Sequence, residues 1–547
     1  MNPLDDPFYY LNNFRTVLDW IEARYCDLLS AGERAFNDAF RQLPQRSQAL
    51  LVRMVMRKGC LFRASRLSYV EIGPTLEAVE PLIALGWVNP EAPLTLDDLF
   101  GLLTRTELAA LFRDRLSSSQ GRKADWLTEL SPQFDEAKPF ASWAPDSDER
   151  LFALTCMPLC DRLRLMFFGN LHQDWSEFVL ADLGVFRYET VAFSDASRAF
   201  RCRKDVDTYL HLHACRERLD AEEALDDIFA DLPAIIADNP WLEARRAKLL
   251  FRMGQQGERT GEWETAQRLY EQSHYPGARG RCIRVLERQE RYQDAFELAA
   301  TAVLAPESDA ERQQLERVMP RLRRKLGLPV QRPPREMPAE RIDLILPPPT
   351  TPLSVENRVQ AHLSTDDVPV HYVENTLING LFGLLCWDVI FAALPGAFFH
   401  PFHTGPADLL QPDFHARRAG LFEDCFALLE TDAYQQRILD TFHAKQGIQS
   451  PFVFWGALNE TLLEQALTCF PADHLNAWFR RLLADIRTNR AGLPDLIQFW
   501  PDQARYRMIE VKGPGDRLQD NQRRWIDFCA RHDMPVAVCY VRWQETA

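Results

Sequence analysis

The clearest alternation of apolar and polar side chains lies near the C-terminus. Leu496–Trp500 and Arg505–Lys512 are each predicted to be a strand, and Pro501–Gln503 is predicted to be the turn between them. Successive side chains of a strand point to opposite faces. Glu510 and Lys512 are therefore predicted on one face of this hairpin, with the apolar residues between them on the other.

The apolar pattern continues beyond the hairpin. Residues 513–515 (GPG) end the second strand, a helix is predicted from near Asp516 through Cys529, and residues 536–541 are predicted to be a third, buried strand. Two strands, a helix and a further strand in this order predict an α/β domain with a mixed sheet.

The N-terminal segment, residues 1–92, is predicted to be a helical DNA-binding domain, because apolar residues recur at helical spacing. From Arg41 to Val70 there are seven Arg or Lys residues and no Asp or Glu. Such a block is a candidate phosphate-binding face, although a solvated helix face gives the same pattern. The candidate DNA contacts in it are Arg53, Arg57 and Lys58.

Residues 103–130 are predicted to form two short amphipathic helices around a Ser-rich turn. Gly121, Arg122 and Lys123 stand at the start of the second helix, where backbone amides and cations suit a DNA phosphate. The pattern resembles the SAP motif, a helix-extended-helix DNA-binding unit, which we assign to residues 93–140. A generic helical hairpin is the alternative.

A weak internal repeat predicts a helical solenoid, assigned to residues 141–327. GEWETAQRLYE (261–271) recurs as ERYQDAFELAA (290–300), with Trp263 over Tyr292 and Ala266 over Ala295. The repeat is shorter than a tetratricopeptide repeat, so an irregular solenoid that resembles that class is expected. Its concave surface is expected to carry arginines for binding either protein or DNA, namely Arg279, Arg281, Arg284, Arg288 and Arg291. A Pro-rich linker, residues 328–352, follows.

Composition indicates which classes of protein are excluded and in which cellular compartment the protein is expected. The chain has 547 residues, too many for one core, and its net charge of −15 argues against a uniformly basic nucleic-acid binder. Twelve scattered cysteines and an N-terminus without signal-peptide features favour a cytoplasmic protein with reduced thiols. The apolar stretch 377–399 contains Asn379, Asp388 and Pro395, so a helix buried in a soluble protein is predicted rather than a membrane span.

Three charged residues of the C-terminal hairpin stand where apolar residues are expected. Asp495 follows a proline, and fourteen residues separate it from Glu510, which is followed at the second position by Lys512. The two carboxylates can hold a divalent cation across the hairpin, and Lys512 projects from the same face toward an attacking water. Taken singly, each residue could belong to a structural salt bridge. Together they match the PD-(D/E)xK nuclease pattern.

The sequence around the hairpin resembles one group of these nucleases. ADIRTNRAGLPDL (484–496) and MIEVKGPGDRLQDNQ (508–522) are similar to the VRR-NUC domain, and VENTLINGLFGLLCWDVIF (373–391) resembles a segment that Fanconi-associated nucleases place before it. The helical block, the SAP-like unit and the solenoid follow the order of that family. The chain is therefore identified as a bacterial-type member. The expected fold is multidomain, with mainly α-helical N-terminal two-thirds followed by an α/β nuclease domain at residues 353–547.

The resemblance implies a structure-specific, metal-dependent DNA endonuclease that cuts 5′ flaps, digests 5′ to 3′ and acts in interstrand cross-link repair. It also implies Mg²⁺ or Mn²⁺ as cofactor, with two ions expected. The implied metal ligands are Glu374, Asp495, Glu510 and the carbonyl group of Val511. Lys512 matches the catalytic lysine, and Gln522 lies where related nucleases place a helical glutamine near the site.

The expected partner is branched DNA, as a 5′ flap or cross-linked duplex, bound by a monomer in the cytoplasm near the nucleoid and away from membranes. No CxxC…HxxxC-type set stands in for the ubiquitin-binding zinc finger of eukaryotic members, so ubiquitin binding is unsupported. The resemblance does not place a 5′-phosphate pocket on particular residues.

Two other functions stay open at this point. A Holliday-junction-type resolvase would use the same active site. A non-catalytic scaffold would place the SAP-like unit on DNA and the solenoid on a protein, and it would not require the spacing of Asp495, Glu510 and Lys512.

Overall fold

The computed structural model of the chain describes residues 6–118, 120–173, 186–330, 339–348 and 353–544. They divide into two compact units. The first contains the residues up to Phe186 with Phe200–Val206, and the second contains Arg187–Ala199 with the residues from Asp207 onward.

The first unit is built mainly from helices, several of which begin at a capping box. Ser30 and Glu33 form a capping box at the start of one helix, and Thr104 and Glu107 form another, so the first-turn amides find side-chain acceptors. The helices are Tyr9–Tyr25, Ala31–Gln42, Gln45–Val55, Thr75–Ala84, Leu96–Leu102, Arg105–Leu111, Lys123–Leu130, Phe140–Trp143 and Met157–Phe168, with 3₁₀ turns at Ala64–Arg66 and Ser131–Gln133.

A small sheet corrects the purely helical prediction for residues 1–92. Strand β3 (Leu151–Leu154) lies between β1 (Leu61–Arg63) and β2 (Val88–Asn89) and is antiparallel to both. Strands this short leave little periodicity in sequence, and their shared partner lies far along the chain. The pairing also places β3, from a segment assigned to the solenoid, in the first unit.

The second unit begins with the solenoid. Its repeat is confirmed, because Trp263 and Tyr292 each begin a helix, and Ala266 and Ala295 are both fully buried. Each helix from residue 240 to residue 325 packs on the next. Between residues 195 and 325 the structure has a 3₁₀ turn at Asp195–Ser197 and the helices Arg203–Asp220, Leu225–Asp231, Pro240–Thr260, Trp263–Glu271, Ala278–Arg288, Tyr292–Leu304 and Asp309–Lys325.

The C-terminal part contains the predicted mixed sheet, with five strands in the order β4-β8-β7-β6-β5. The neighbours β4, β8 and β7 are parallel, and β6 is antiparallel to both β7 and β5. The predicted hairpin strands are confirmed, and β8 runs two residues beyond its predicted end. The strands are β4 (Glu340–Leu346), β5 (Val370–Tyr372), β6 (Leu496–Trp500), β7 (Arg505–Lys512) and β8 (Val536–Trp543).

Strand β4 corrects the linker prediction. It falls inside residues 328–352, where flanking prolines conceal a short alternating run, and it pairs with β8 along its whole length. Residues 331–338 and 349–352 of the predicted linker lie outside the described residues.

Both faces of the sheet are covered. Ile509 and Val511 pack with Val359 on one side, whereas Met508 belongs to the large helical core on the other. The helices are Val355–Leu363, Leu377–Leu385, Trp387–Ile390, Ala419–Ala427, Ala433–Lys445, Glu460–Cys469, Ala472–Ala484, Ile486–Asn489 and Asp520–Arg531, with 3₁₀ turns at Ala416–Arg418, Leu428–Glu430 and Pro501–Gln503. The helix predicted from near residue 516 thus begins at Asp520.

In the apolar stretch 377–399 two short helices, Leu377–Leu385 and Trp387–Ile390, replace the single helix predicted, and residues 391–399 are not helical. Both helices are buried in this core, as predicted. Among the described residues, no helix combines the length and apolar character needed to cross a membrane.

Candidate active site

The β6–β7 hairpin brings the Pro-Asp and Glu-x-Lys segments together. Leu496 pairs with Ile509, so the preceding Asp495 stands beside the following Glu510. The Oδ2 atom of Asp495 accepts a hydrogen bond from the backbone N–H of Val511 at 2.8 Å. This contact fixes the carboxylate at the end of the hairpin, where its side chain is almost completely buried.

Glu510 and Lys512 lie on one face of β7 and contact each other. The ammonium of Lys512 is 2.5 Å from Oε1 of Glu510, and Glu510 has no exposed surface. Oε2 of Glu510 is buried without a hydrogen-bond partner in the described part of the chain. A buried oxygen of this kind is costly unless another ligand satisfies it.

The electrostatics of the two carboxyl groups follow from burial. Burial, together with the negative charge of Asp495, raises the pKa of Glu510 to about 8 despite the nearby Lys512 ammonium. Burial also raises the pKa of Asp495 to about 6, against the opposing effects of the Val511 N–H and Lys512. The negative charge of Glu356 also raises the pKa of Asp495. Glu356 was not among the residues predicted from the sequence.

Glu374 lies in the segment that follows β5, close enough for its charge to raise the pKa of both Asp495 and Glu510. Its carboxylate accepts hydrogen bonds from the Tyr372 hydroxyl at 2.5 Å and from the Asn375 amide at 3.2 Å. Among the described residues, we find no group of three or more His, Cys, Asp or Glu side chains close enough together to hold a metal ion.

The donor set nevertheless fits a divalent cation. Asp495 and Glu510 supply hard oxygen ligands, one oxygen of Glu510 is unsatisfied, and one ammonium faces two buried carboxyl groups. A cation bound here would displace the proton that the raised pKa keeps on Glu510 near neutral pH. The role of Glu374 as a further ligand stays a prediction.

Gln522 has a structural contact of its own. Its Oε1 accepts a hydrogen bond from the backbone N–H of Gln519 at 2.9 Å, which caps the helix Asp520–Arg531. Its accessory role, and that of the Val511 carbonyl as a ligand, stay predictions.

The cationic block of the first unit is partly neutralised by acids from outside it. Arg53 pairs with Glu71 at 2.7 Å and stacks on the ring of Tyr10, so part of its charge is neutralised within the first unit. Its role as a DNA contact stays a prediction. Glu71 directly follows the acid-free stretch, which is why the sequence pattern concealed this pair. Arg57 and Lys58 are exposed and remain candidates.

The SAP-like unit has the two helices predicted for it, Arg105–Leu111 and Lys123–Leu130. Lys123 donates to the carbonyl oxygens of Phe100 at 2.8 Å and Leu103 at 2.5 Å, where it stabilises the end of a helix. The role of Lys123 as a phosphate contact stays a prediction, and Arg122 is exposed.

Three of the five solenoid arginines share one cavity. Arg281, Arg284 and Arg288 line a space of about 440 Å³ together with Arg259, Trp263 and Glu258. Glu258 pairs with Arg281 at 3.4 Å and with Arg284 at 3.5 Å, so four arginines surround one carboxylate. The other two are engaged elsewhere in ion pairs, Arg279 with Glu311 and Arg291 with Asp294. The cavity is thus a basic site within the solenoid.

The mixed sheet, with a Pro-Asp segment facing a Glu-x-Lys strand, defines a PD-(D/E)xK nuclease. A Fanconi-associated nuclease 1 homolog from Pseudomonas aeruginosa is 60% identical over 540 residues, covering 99% of this chain and 97% of the homolog. The chain belongs to the Fanconi-associated nuclease 1 family, a family of DNA-cleaving hydrolases, and it is of the bacterial type.

Family models and more distant relatives agree with this assignment. The matches are the FAN1 HTH domain at residues 8–89, the Fanconi anemia-associated nuclease SAP domain at residues 93–143 and the VRR-NUC domain at residues 429–543. The Arabidopsis thaliana homolog is 24% identical and covers 97% of this chain and 67% of its own length. Membership in the VRR-NUC family indicates dependence on a divalent metal.

Two crystal structures match the whole fold. They are of paFAN1 bound to gapped 5′ flap DNA, with flaps of two nucleotides and one nucleotide. Each is 60% identical to this chain and covers 99% of it, with TM-scores of 0.93 and 0.92.

Proposed function

We propose that the chain is a structure-specific endonuclease that cuts 5′ flap DNA in the presence of Mg²⁺ or Mn²⁺. The observation that carries the proposal is the buried group of Asp495, Glu510 and Lys512 at the end of the β6–β7 hairpin. The flap structures of paFAN1 support the choice of substrate. Digestion from 5′ to 3′ and a role in interstrand cross-link repair follow from the family resemblance.

Asp495 and Glu510 would hold the ions, with Glu374 and the Val511 carbonyl as further ligands and two ions expected. The Val511 N–H keeps Asp495 oriented, so the ligand does not need to reorganise when DNA arrives. A divalent cation would supply Lewis acidity and neutralise charge developing on the scissile phosphate.

Lys512 places a positive charge beside the same face without being a ligand. Its short contact with Glu510 and its burial keep the ammonium in one place. A fixed donor at this position can orient the attacking water and stabilise the charge of the transition state.

Phosphate contacts are proposed for the exposed cations of the first unit and for the basic cavity of the solenoid. The exposed cations are Arg57, Lys58 and Arg122. Arginine and lysine side chains at the surface can exchange counterions for DNA phosphates, which is the main source of DNA affinity. The enzyme is proposed to act as a monomer in the cytoplasm, at the nucleoid.

The decisive experiment compares a labelled 5′ flap with a four-way junction of the same arm sequences, with Mg²⁺, with Mn²⁺ and with chelator. The expected result is metal-dependent cutting of the flap at a higher kcat/KM than the junction. Preferred symmetrical cutting of the junction would instead support a resolvase. Binding of both substrates with no cutting of either would support a scaffold.

A further inference from the structure

Tyr372, Glu374 and Asn375 form a hydrogen-bonded group beside the site. The Tyr372 hydroxyl donates to Oε2 of Glu374 at 2.5 Å, and the Asn375 amide donates to Oε1 at 3.2 Å. Both oxygens of an exposed carboxylate are therefore held. A glutamate side chain in water otherwise samples many rotamers, so these contacts determine where its charge stands.

Asn375 and its neighbour Val373 also connect this group to the segment that precedes β6 and carries Asp495. Oδ1 of Asn375 accepts a hydrogen bond from the Leu493 N–H at 3.1 Å, and the Val373 N–H donates to the Asp495 carbonyl at 2.9 Å. Asn375 adopts a φ of 53°, a left-handed conformation that asparagine tolerates better than most residues. The side-chain amide thus links Glu374 to the segment that carries a second candidate ligand.

We propose that Tyr372 and Asn375 are positioning residues that hold Glu374 in the orientation in which it binds a divalent ion. The inference rests on the proposed function, because it requires Glu374 to be a ligand. Hydrogen-bond partners of metal-ligating groups orient those groups, and losing one typically weakens metal binding by about 10–100-fold. Tyr372 lies on the edge strand β5 and is 45% exposed, so removing its hydroxyl leaves the core intact.

The test measures Mn²⁺ binding to DNA-free protein by calorimetry, alongside single-turnover flap cleavage across Mn²⁺ concentrations. Tyr372→Phe and Asn375→Gly are each expected to weaken Mn²⁺ binding about tenfold, while the rate at saturating Mn²⁺ stays within about twofold of wild type. Glycine keeps the left-handed backbone at position 375, so any loss there comes from the amide. Tyr292→Phe, which removes a hydroxyl from a solenoid helix, should bind Mn²⁺ as wild type does.

Wild-type Mn²⁺ affinity in both variants would overturn the inference. Unchanged affinity with a reduced saturating rate would overturn it as well, because the residues would then act on something other than metal binding. Glu374→Gln separates the inference from the proposed function. If only Glu374→Gln loses Mn²⁺ affinity, the positioning role fails and the ligand assignment stands; if Glu374→Gln binds and cuts as wild type does, the ligand assignment itself fails.

Discussion

The ammonium of Lys512 lies 2.5 Å from Glu510, yet the pKa of Glu510 is still raised to about 8. The reason is that burial and the neighbouring carboxylate of Asp495 outweigh one ion pair. One ammonium does not balance two carboxylates, so the folded protein keeps a proton on Glu510 near neutral pH. A divalent cation bound here would displace this proton and supply the second positive charge.

This imbalance predicts how the metal-free protein responds to pH. The pKa of Glu510 is about 8 in the folded protein, against 4.5 for the carboxyl group in the unfolded chain. Between these two pH values the folded state therefore holds one proton more than the unfolded state. The corresponding stability is fully present below pH 4.5 and is lost as pH rises through about 8. In urea denaturation with chelator, Glu510→Gln should flatten this decline and gain about 2 kcal/mol over wild type at pH 9.

A surface substitution provides the control for that measurement. Glu464→Gln replaces an exposed carboxylate on the helix Glu460–Cys469 and should leave the wild-type pH profile unchanged. Parallel profiles for Glu510→Gln and wild type would show that the buried carboxyl does not hold the extra proton.

Metal binding should release that proton. Because the carboxyls of Asp495 and Glu510 must ionise to act as ligands, Mn²⁺ affinity is expected to rise from pH 6 to pH 8.5, with about one proton released per ion near pH 7. Calorimetry in buffers of different ionisation enthalpy measures the proton count directly. Affinity independent of both pH and buffer would contradict the prediction.

Substitution of the proposed metal ligands should affect metal binding and cleavage together, whereas substitution of Lys512 should affect cleavage alone. Asp495→Ala and Glu510→Ala should lower single-turnover cleavage by at least about 100-fold and weaken Mn²⁺ binding, while flap binding persists. Lys512→Met keeps the stem of the side chain and should lose a similar factor with little change in Mn²⁺ affinity, so added metal does not rescue it. Near-wild-type cleavage by Lys512→Met would make Lys512 only a salt-bridge partner.

The hairpin was predictable from sequence because its information is local. Alternation gives the two strands, and the short turn fixes which residues face each other, so Asp495 and Glu510 could be paired without a structure. Glu374 was different: it reaches the site because the three-residue strand β5 pairs with β6 from more than a hundred positions away. Only the family resemblance pointed to it.

The candidate DNA contacts show what a count of charges along the sequence leaves out. Net charge in a window ignores acids that the fold brings in, and Arg63 pairs with Glu107 and Glu149 from distant helices and loops. Lys123 donates hydrogen bonds to main-chain carbonyl groups, and a count of charged side chains does not include these acceptors. Tyr372 and Asn375 carry no motif at all; an asparagine just after a candidate ligand is the only local signal of a left-handed turn.

The salt dependence of DNA binding should distinguish the exposed cations of the first unit from Lys123, which contacts main-chain carbonyls. Arg122→Ala and Lys58→Ala are each expected to reduce the slope of log affinity against log salt by about 0.9 if each contacts one duplex phosphate. Lys123→Ala should leave the slope unchanged and instead lower the free energy of unfolding by about 1–2 kcal/mol, since two carbonyls lose their donor. Fluorescence anisotropy from 50 to 200 mM salt measures the slopes, and an unchanged slope in Arg122→Ala would assign it to a solvated surface.

A contact between the solenoid and the nuclease helix gives the last prediction. Arg317, on the helix Asp309–Lys325, binds both carboxylate oxygens of Asp520 at 2.6 and 2.7 Å. Arg524 donates to Gln313 at 2.7 Å beside it. Asp520 is the first residue of the helix that follows β7, so this contact holds the start of that helix against the solenoid.

Because both partners are about half exposed, the pair contributes little to stability, and Arg317→Ala should change the free energy of unfolding by less than about 1 kcal/mol. Its expected effect is on positioning, as a three- to tenfold lower single-turnover rate, an order-of-magnitude figure of about 1 kcal/mol in the barrier. Arg341→Ala, which breaks the similarly exposed pair with Asp343, should cut as wild type does. Exchanging the charges in Arg317→Asp with Asp520→Arg should restore only part of the rate, because a cation at a helix N-terminus is unfavourable. If Arg317→Ala cuts at the wild-type rate, the solenoid does not position the nuclease helix through this pair.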